Sequence, residues 1–182
     1  MLVVQMHGEP GSGKSTLGRA LAPGIDAVVL DKDVIKAALL RSGIPERDAA
    51  SGAYEAFFDL GRALVDQRRS LILDNPVFWP RVEERWLALA ARAGSPRILI
   101  ECACTDRREL RRRLVSRTAL ASQPREPLDL ARHPGAAATS FEPRLTLDTT
   151  RPLAELVDKA LAYIRELTFA PPNLPRADGV VI

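Results

Sequence analysis

Residues 8–15 read Gly8-Glu9-Pro10-Gly11-Ser12-Gly13-Lys14-Ser15, the full spacing G-x-x-x-x-G-K-[ST]. Glycines at these positions let the backbone curl so that successive N–H groups converge, a geometry that suits phosphate oxygens. An apolar run at 2–6 precedes the loop and helical spacing at 14–22 follows it, so a positive helix end would add to the same cradle. In that arrangement Lys14 reaches the β- and γ-phosphates and the Ser15 hydroxyl ligates Mg²⁺. Gly8, Glu9, Gly11, Ser12, Gly13 and Thr16 complete the expected nucleotide-binding set. A glycine-rich turn that holds no nucleotide is the bland alternative, and the strand–loop–helix setting argues against it.

Leu30-Asp31-Lys32-Asp33-Val34-Ile35-Lys36 marks a second place where a strand gives way to a helix. Ligands of open α/β sheets sit at the carboxyl ends of the strands, the edge that also carries the phosphate loop. Asp33 and Lys36 are three apart and share a helix face. A phosphoryl acceptor needs a carboxylate to take its hydroxyl proton and a cation for the incoming group, and these two residues supply that pair. The competing reading is that Asp33 caps the helix and Lys36 is solvated.

Asp74 closes the apolar run SLILD at 70–74, where a carboxylate faces either a metal ion or the acceptor. Phe78 and Trp79 follow and form either an acceptor wall or core. Between Arg107 and Arg117 lies a stretch dense in arginine. Arginine from a lid stabilises charge on a transferring phosphoryl group. Most of these side chains read as a solvated helix face, with Glu109 pairing to Arg113; Arg113 and Arg117 are the candidates, Arg117 foremost because it adjoins a proline-containing lid at 121–134. His7 and His133 have no supporting neighbours in the sequence and receive no role.

Strand and helix signals alternate along the chain, which predicts an α/β sheet with helices on both faces. Strands are expected at 2–6, 27–30, 70–74, 97–103 and 144–148, and helices at 14–22, 33–42, 46–68, 80–93, 106–120 and 152–167. On the third helix Tyr54, Phe57, Phe58 and Leu64 fall on one face. The tail from 170 holds three prolines and few apolar residues and is expected to be loosely held.

With 182 residues the chain is about one domain, long enough for a real core. The formal charge of +3 suits anionic substrates without demanding nucleic acid. Its two cysteines, Cys102 and Cys104, fall on one face of a strand, and without a second pair they build no zinc site. They read as small buried residues in a protein of the reducing cytoplasm. No apolar run reaches the roughly 18 residues of a membrane span, and no signal peptide is apparent.

Together these residues resemble the small P-loop kinases of the AAA_33 and polynucleotide-kinase-like group, with gluconate kinases, chloramphenicol phosphotransferases and zeta-type toxins as wider relatives. The resemblance runs from Leu2 to about Leu167. GEPGSGKST is similar to the family's phosphate loop, and Lys32-Asp33-Val34-Ile35-Lys36 to its basic-Asp-x-x-basic motif. That match implies Asp33 as general base and Lys36 as the acceptor- or phosphate-facing cation, where arginine is commoner and bidentate. Asp74-Asn75 resembles the Asp that begins an acceptor loop, Arg113-x-x-x-Arg117 the lid pair, and Phe141-Glu142-Pro143 with Leu147-Asp148-Thr149 the segments flanking the base-binding side. The absence of a D-x-D-G-T segment argues against a two-headed end-repair enzyme.

The expectation is therefore a P-loop NTPase three-layer sandwich, a mostly parallel five-stranded sheet with a helical lid at about 106–134. The domain spans 1–169 and the tail 170–182. Its expected activity is ATP- and Mg²⁺-dependent transfer to a hydroxyl of a sugar, nucleoside or antibiotic. A polynucleotide 5′-hydroxyl is the alternative acceptor, disfavoured by the low aromatic content of 5%. A nucleotide-dependent switch or an ATPase acting on a protein partner is the reading of another class, and a degenerate module that only binds ATP is a third.

Overall fold

A computed structural model of the chain describes residues 1–75, 80–118, 120–123 and 143–169. Phe78, Trp79, His133, Phe141, Glu142, most of the 121–134 lid and the 170–182 tail lie outside the described residues.

The order of elements is β1 (Val3–His7), α1 (Lys14–Leu21), β2 (Ala27–Asp31), α2 (Lys32–Arg41), α3 (Glu46–Asp66), β3 (Ser70–Asp74), α4 (Pro80–Ala93), β4 (Ile98–Ala103), α5 (Arg107–Ser116), β5 (Leu145–Asp148) and α6 (Leu153–Phe169). The five strands form one sheet in the order β2-β3-β1-β4-β5, and each neighbouring pair is parallel. A parallel sheet is covered on both faces, which is why its strands read as apolar runs rather than as alternating patterns.

The twofold period of the strands nonetheless sorts the core. Val4, Met6, Ile72, Ile98 and Ile100 pack with Leu17 and Leu21 of α1 and Leu156, Ala160 and Ile164 of α6. On the other face Val3, Leu71, Leu73 and Leu99 meet Phe57, Phe58 and Val65 of α3 and Trp86 and Leu89 of α4. Phe57 and Phe58 are the buried part of the expected α3 face, while Tyr54 and Leu64 are half-buried at its edge.

The structure adds one turn, shortens one expected helix and identifies the cap of α2. A short 3₁₀ turn, Ala22–Ile25, separates α1 from β2; Pro23 cannot donate a helical hydrogen bond, and the tighter turn absorbs it. The arginine-rich helix ends at Ser116 rather than near 120, because Arg117 has extended backbone (φ −75°, ψ 147°). Arg113 and Arg117 therefore do not share a helix. Asp33 is not the cap of α2: Asp31 is, accepting from the backbone N–H groups of Asp33 (2.9 Å) and Val34 (3.4 Å). Cys102 and Cys104 are free and buried, as expected.

Candidate active site

β1 is buried along its whole length and delivers the loop at the centre of the sheet's carboxyl edge. Gly8, Gly11 and Gly13 all have positive φ, at 134°, 81° and 93°, a region where a side chain is costly. At Gly8 a Cβ would also collide with the carbonyl oxygen of Cys102 and lie 2.7 Å from Ser12 Oγ. Gly13 then starts α1, whose first residue is Lys14. The Lys14 ammonium donates to the carbonyl of Glu9 across the loop at 3.1 Å.

An open cleft of about 960 Å³ runs along this edge. It brings together nearly every predicted site residue: Gly8, Gly11, Gly13, Lys14, Ser15 and Thr16 from the loop and α1, Asp33 and Lys36 from α2, Asp74 from β3, and Arg113 and Arg117 at the end of α5. Glu9 and Ser12 are not among the lining residues. Ser12 is fully buried, and the Glu9 carboxylate turns away to Arg107 at 2.6 Å.

Asp33 projects from the first turn of α2, paired with Lys32 Nζ at 2.7 Å. Lys32 lies 5.3 Å from the centroid of the Tyr54 ring, a cation–π contact. The Tyr54 hydroxyl is held above the ordinary phenol range by burial and then by the Asp33 carboxylate. Lys36 reaches Glu46 at the start of α3, at 2.5 Å; its own side chain is 13% exposed and that of Glu46 68%. Lys36 is thus turned into the protein and not solvated.

Asp74 is 5% exposed, and its Oδ2 is buried with no hydrogen-bond partner among the described residues. Buried carboxylate oxygens are rarely left unsatisfied, so this one could hold a cation or its water. Among the described residues no group of three or more His, Cys, Asp or Glu could enclose a metal. Mg²⁺ does not need one, since it commonly keeps several waters and takes one or two protein ligands. Ser15 and Asp74, both on the cleft, fit that requirement.

Several participants were not apparent from sequence. Gln5 is wholly buried, and its amide donates to the carbonyls of Met6 (2.7 Å) and Asn75 (2.8 Å), fixing the chain after β3. Ser122 donates to the Asp33 carbonyl at 2.8 Å, so the stretch after α5 descends onto the start of α2. Tyr54 and Arg151 also line the cleft, beside Lys32 of the basic-Asp motif and Thr149 of the Leu147-Asp148-Thr149 segment. The sequence signal of Tyr54 and Arg151 is weak, because each depends on which elements become neighbours.

His7 closes β1 and is buried, which lowers its pKa to about 4; Glu101 opposes the shift, while Lys14 and Arg144 add to it. Burial also pushes the Cys102 thiol up to about 12, so it carries no thiolate chemistry.

The fold is similar to that of several solved kinases. A sugar kinase from Janibacter sp. HTCC2649 superposes with a TM-score of 0.65 at 17% identity, covering 92% of this chain and 95% of that one. A gluconokinase from Sinorhizobium meliloti 1021 gives 0.61 at 20% identity, covering 91% and 93%. The APS kinase CysC of Mycobacterium tuberculosis, in complex with AMPPNP and APS, gives 0.57 at 19%, covering 88% and 95%. At these identities the likeness is one of fold. No curated protein sequence matches the chain. The sequence model of the AAA_33 family, an AAA domain, matches residues 3–134, and the chain belongs to that family.

Proposed function

We propose that this chain is an ATP- and Mg²⁺-dependent kinase that transfers the γ-phosphoryl group to a hydroxyl of a small molecule. One observation carries the reading: the phosphate loop and the Asp33 carboxylate open onto a single cleft. A binding module or switch needs the loop alone. A kinase also needs a carboxylate near the γ-phosphate end to receive the acceptor proton. The sugar kinase, gluconokinase and APS kinase of the same fold support a small-molecule acceptor over a polynucleotide.

In this reading Lys14 and the loop N–H groups hold the β- and γ-phosphates. Asp33 accepts the acceptor's proton, with Lys32 fixing its carboxylate. Lys36 faces the acceptor or the transferred group, and Arg117 offsets the charge that builds on the phosphoryl oxygens. Ser15 and Asp74 would hold Mg²⁺, which when bound neutralises phosphate charge. Arg117, Thr118, Leu120, Ser122 and Gln123, which line the cleft, shield the transferring group from water and limit hydrolysis. The catalytic domain is 1–169. Transfer of label from γ-labelled ATP to a panel of hydroxyl acceptors tests the reading. Release of phosphate that no acceptor changes, at equal rates in the wild type and Asp33→Asn, would sink it.

A further inference from the structure

The arginine-rich helix α5 does not hang over the cleft as a free lid, because three of its turns are fastened to the phosphate loop. Arg107 pairs with Glu9 at 2.6 Å. Leu110 and Leu114 are fully buried and pack on Gly11 so closely that a Cβ there would lie 2.9 Å from Leu114 Cγ and 3.1 Å from Leu110 Cδ1.

The third fastening runs through Arg113. Its Nη1 donates to Thr149 Oγ1 at 2.9 Å and its Nη2 to the Thr149 carbonyl at 2.7 Å. Its Nε donates to Glu109 at 2.8 Å, so the guanidinium is held from both sides. Thr149 is itself tied to β4, its N–H and its hydroxyl both donating to the Ala103 carbonyl, at 2.8 and 3.1 Å. Its side chain rests against Gly13, where a Cβ would be 3.4 Å away. Gly13 is the residue that turns the loop into α1.

We infer that Arg113 is a positioning residue, which shapes the phosphate loop through Thr149 and Gly13 instead of contacting the phosphates. The inference rests on the nucleotide-binding half of the proposed function and needs no assumption about the acceptor. A planar guanidinium suits the role because two parallel donors reach the hydroxyl and the carbonyl of one residue together. It leaves Arg117, outside the helix, as the lid arginine.

A strut and a phosphate contact differ in what they do to related nucleotides. A strut supports the loop whatever is bound, whereas a γ-phosphate contact helps ATP more than ADP. Affinities of fluorescent ATP and ADP analogues would be titrated for the wild type, Arg113→Met, Thr149→Val and the double variant. Both single variants are expected to weaken the two nucleotides by the same factor, about tenfold for lost charge-assisted bonds. The double variant is expected to be no worse than the worse single. A larger loss for ATP than for ADP in Arg113→Met would overturn the inference, and so would additive losses or a silent Thr149→Val. Should Arg113→Met fail to fold, Arg113→Lys serves, since one ammonium loses the paired contact; wild-type affinity there would equally overturn it. The titrations involve no transfer, so a chain that binds nucleotide but phosphorylates nothing would contradict the kinase reading and leave this result standing.

Discussion

Asp31 and Asp74 end two neighbouring strands in register, β2 and β3, so two carboxylates stand side by side at the carboxyl edge of the sheet. Their proximity has a measurable effect: the Asp31 carboxyl is held above its usual range by burial first and by the Asp74 charge second. The two backbone N–H groups that Asp31 caps oppose the shift without cancelling it.

A raised carboxyl pKa means that the native state binds more protons than the unfolded chain between the ordinary and the raised value. Stability from this group is present below that window and is lost as the pH climbs through it. At neutral pH the ionised Asp31 is therefore a standing cost. Asp31→Asn keeps a capping oxygen and removes the repulsion, giving up only the pair to Arg19, whose side chain is 62% exposed. The nucleotide-free variant is expected to melt above the wild type at pH 7, with the gain shrinking on acidification. Melting curves across pH check this, and a lower midpoint at pH 7 would count against it.

His7 acts in the opposite sense. Its folded pKa of about 4 lies below the ordinary histidine value of 6.5, so the native state prefers it neutral. The stability involved is present above pH 6.5 and drains away as the pH falls towards 4, by on the order of 3 kcal/mol in total. Urea titrations at pH 7 and pH 4.5 are expected to show this loss in the wild type and a smaller one in His7→Gln.

Gly8→Ala places a methyl group against the Cys102 carbonyl, which is backbone of the inner strand β4 and cannot swing aside. The loop must then shift, and nucleotide affinity is expected to fall by at least about tenfold, since small displacements of positioning elements are costly. Lys14→Ala removes the loop cation and is expected to weaken both nucleotide binding and transfer. Calorimetric titration with AMPPNP checks both variants, and wild-type affinity in either would be incompatible with the loop as the phosphate site.

Much of this was legible in the sequence, because the deciding signals are local. Largely apolar runs of four to seven residues located every strand of the sheet, and the phosphate loop was complete within eight residues. Asp33 and Asp74 were placed at the right edge by the rule that ligands sit at strand ends. What escaped depends on elements far apart in the chain. Asp33 stood as a candidate cap of α2 beside its reading as a base, and spacing alone does not show that Asp31 takes that place. The pairing of Arg113 with Thr149, 36 residues away, follows only once β5 has docked beside β4. Arg117 was read as helical because arginine favours helices, whereas its backbone turns extended at the end of α5.

The central claim is that Asp33 takes the proton from an acceptor hydroxyl in this cleft. Its most direct test is label transfer from γ-³²P-ATP with Mg²⁺ to sugars, nucleosides, aminoglycosides and 5′-hydroxyl oligonucleotides, comparing the wild type with Asp33→Asn. Label is expected on one small-molecule class, falling by ~10²–10⁴-fold in Asp33→Asn while AMPPNP binds with unchanged affinity. Near-normal transfer by Asp33→Asn would contradict the account.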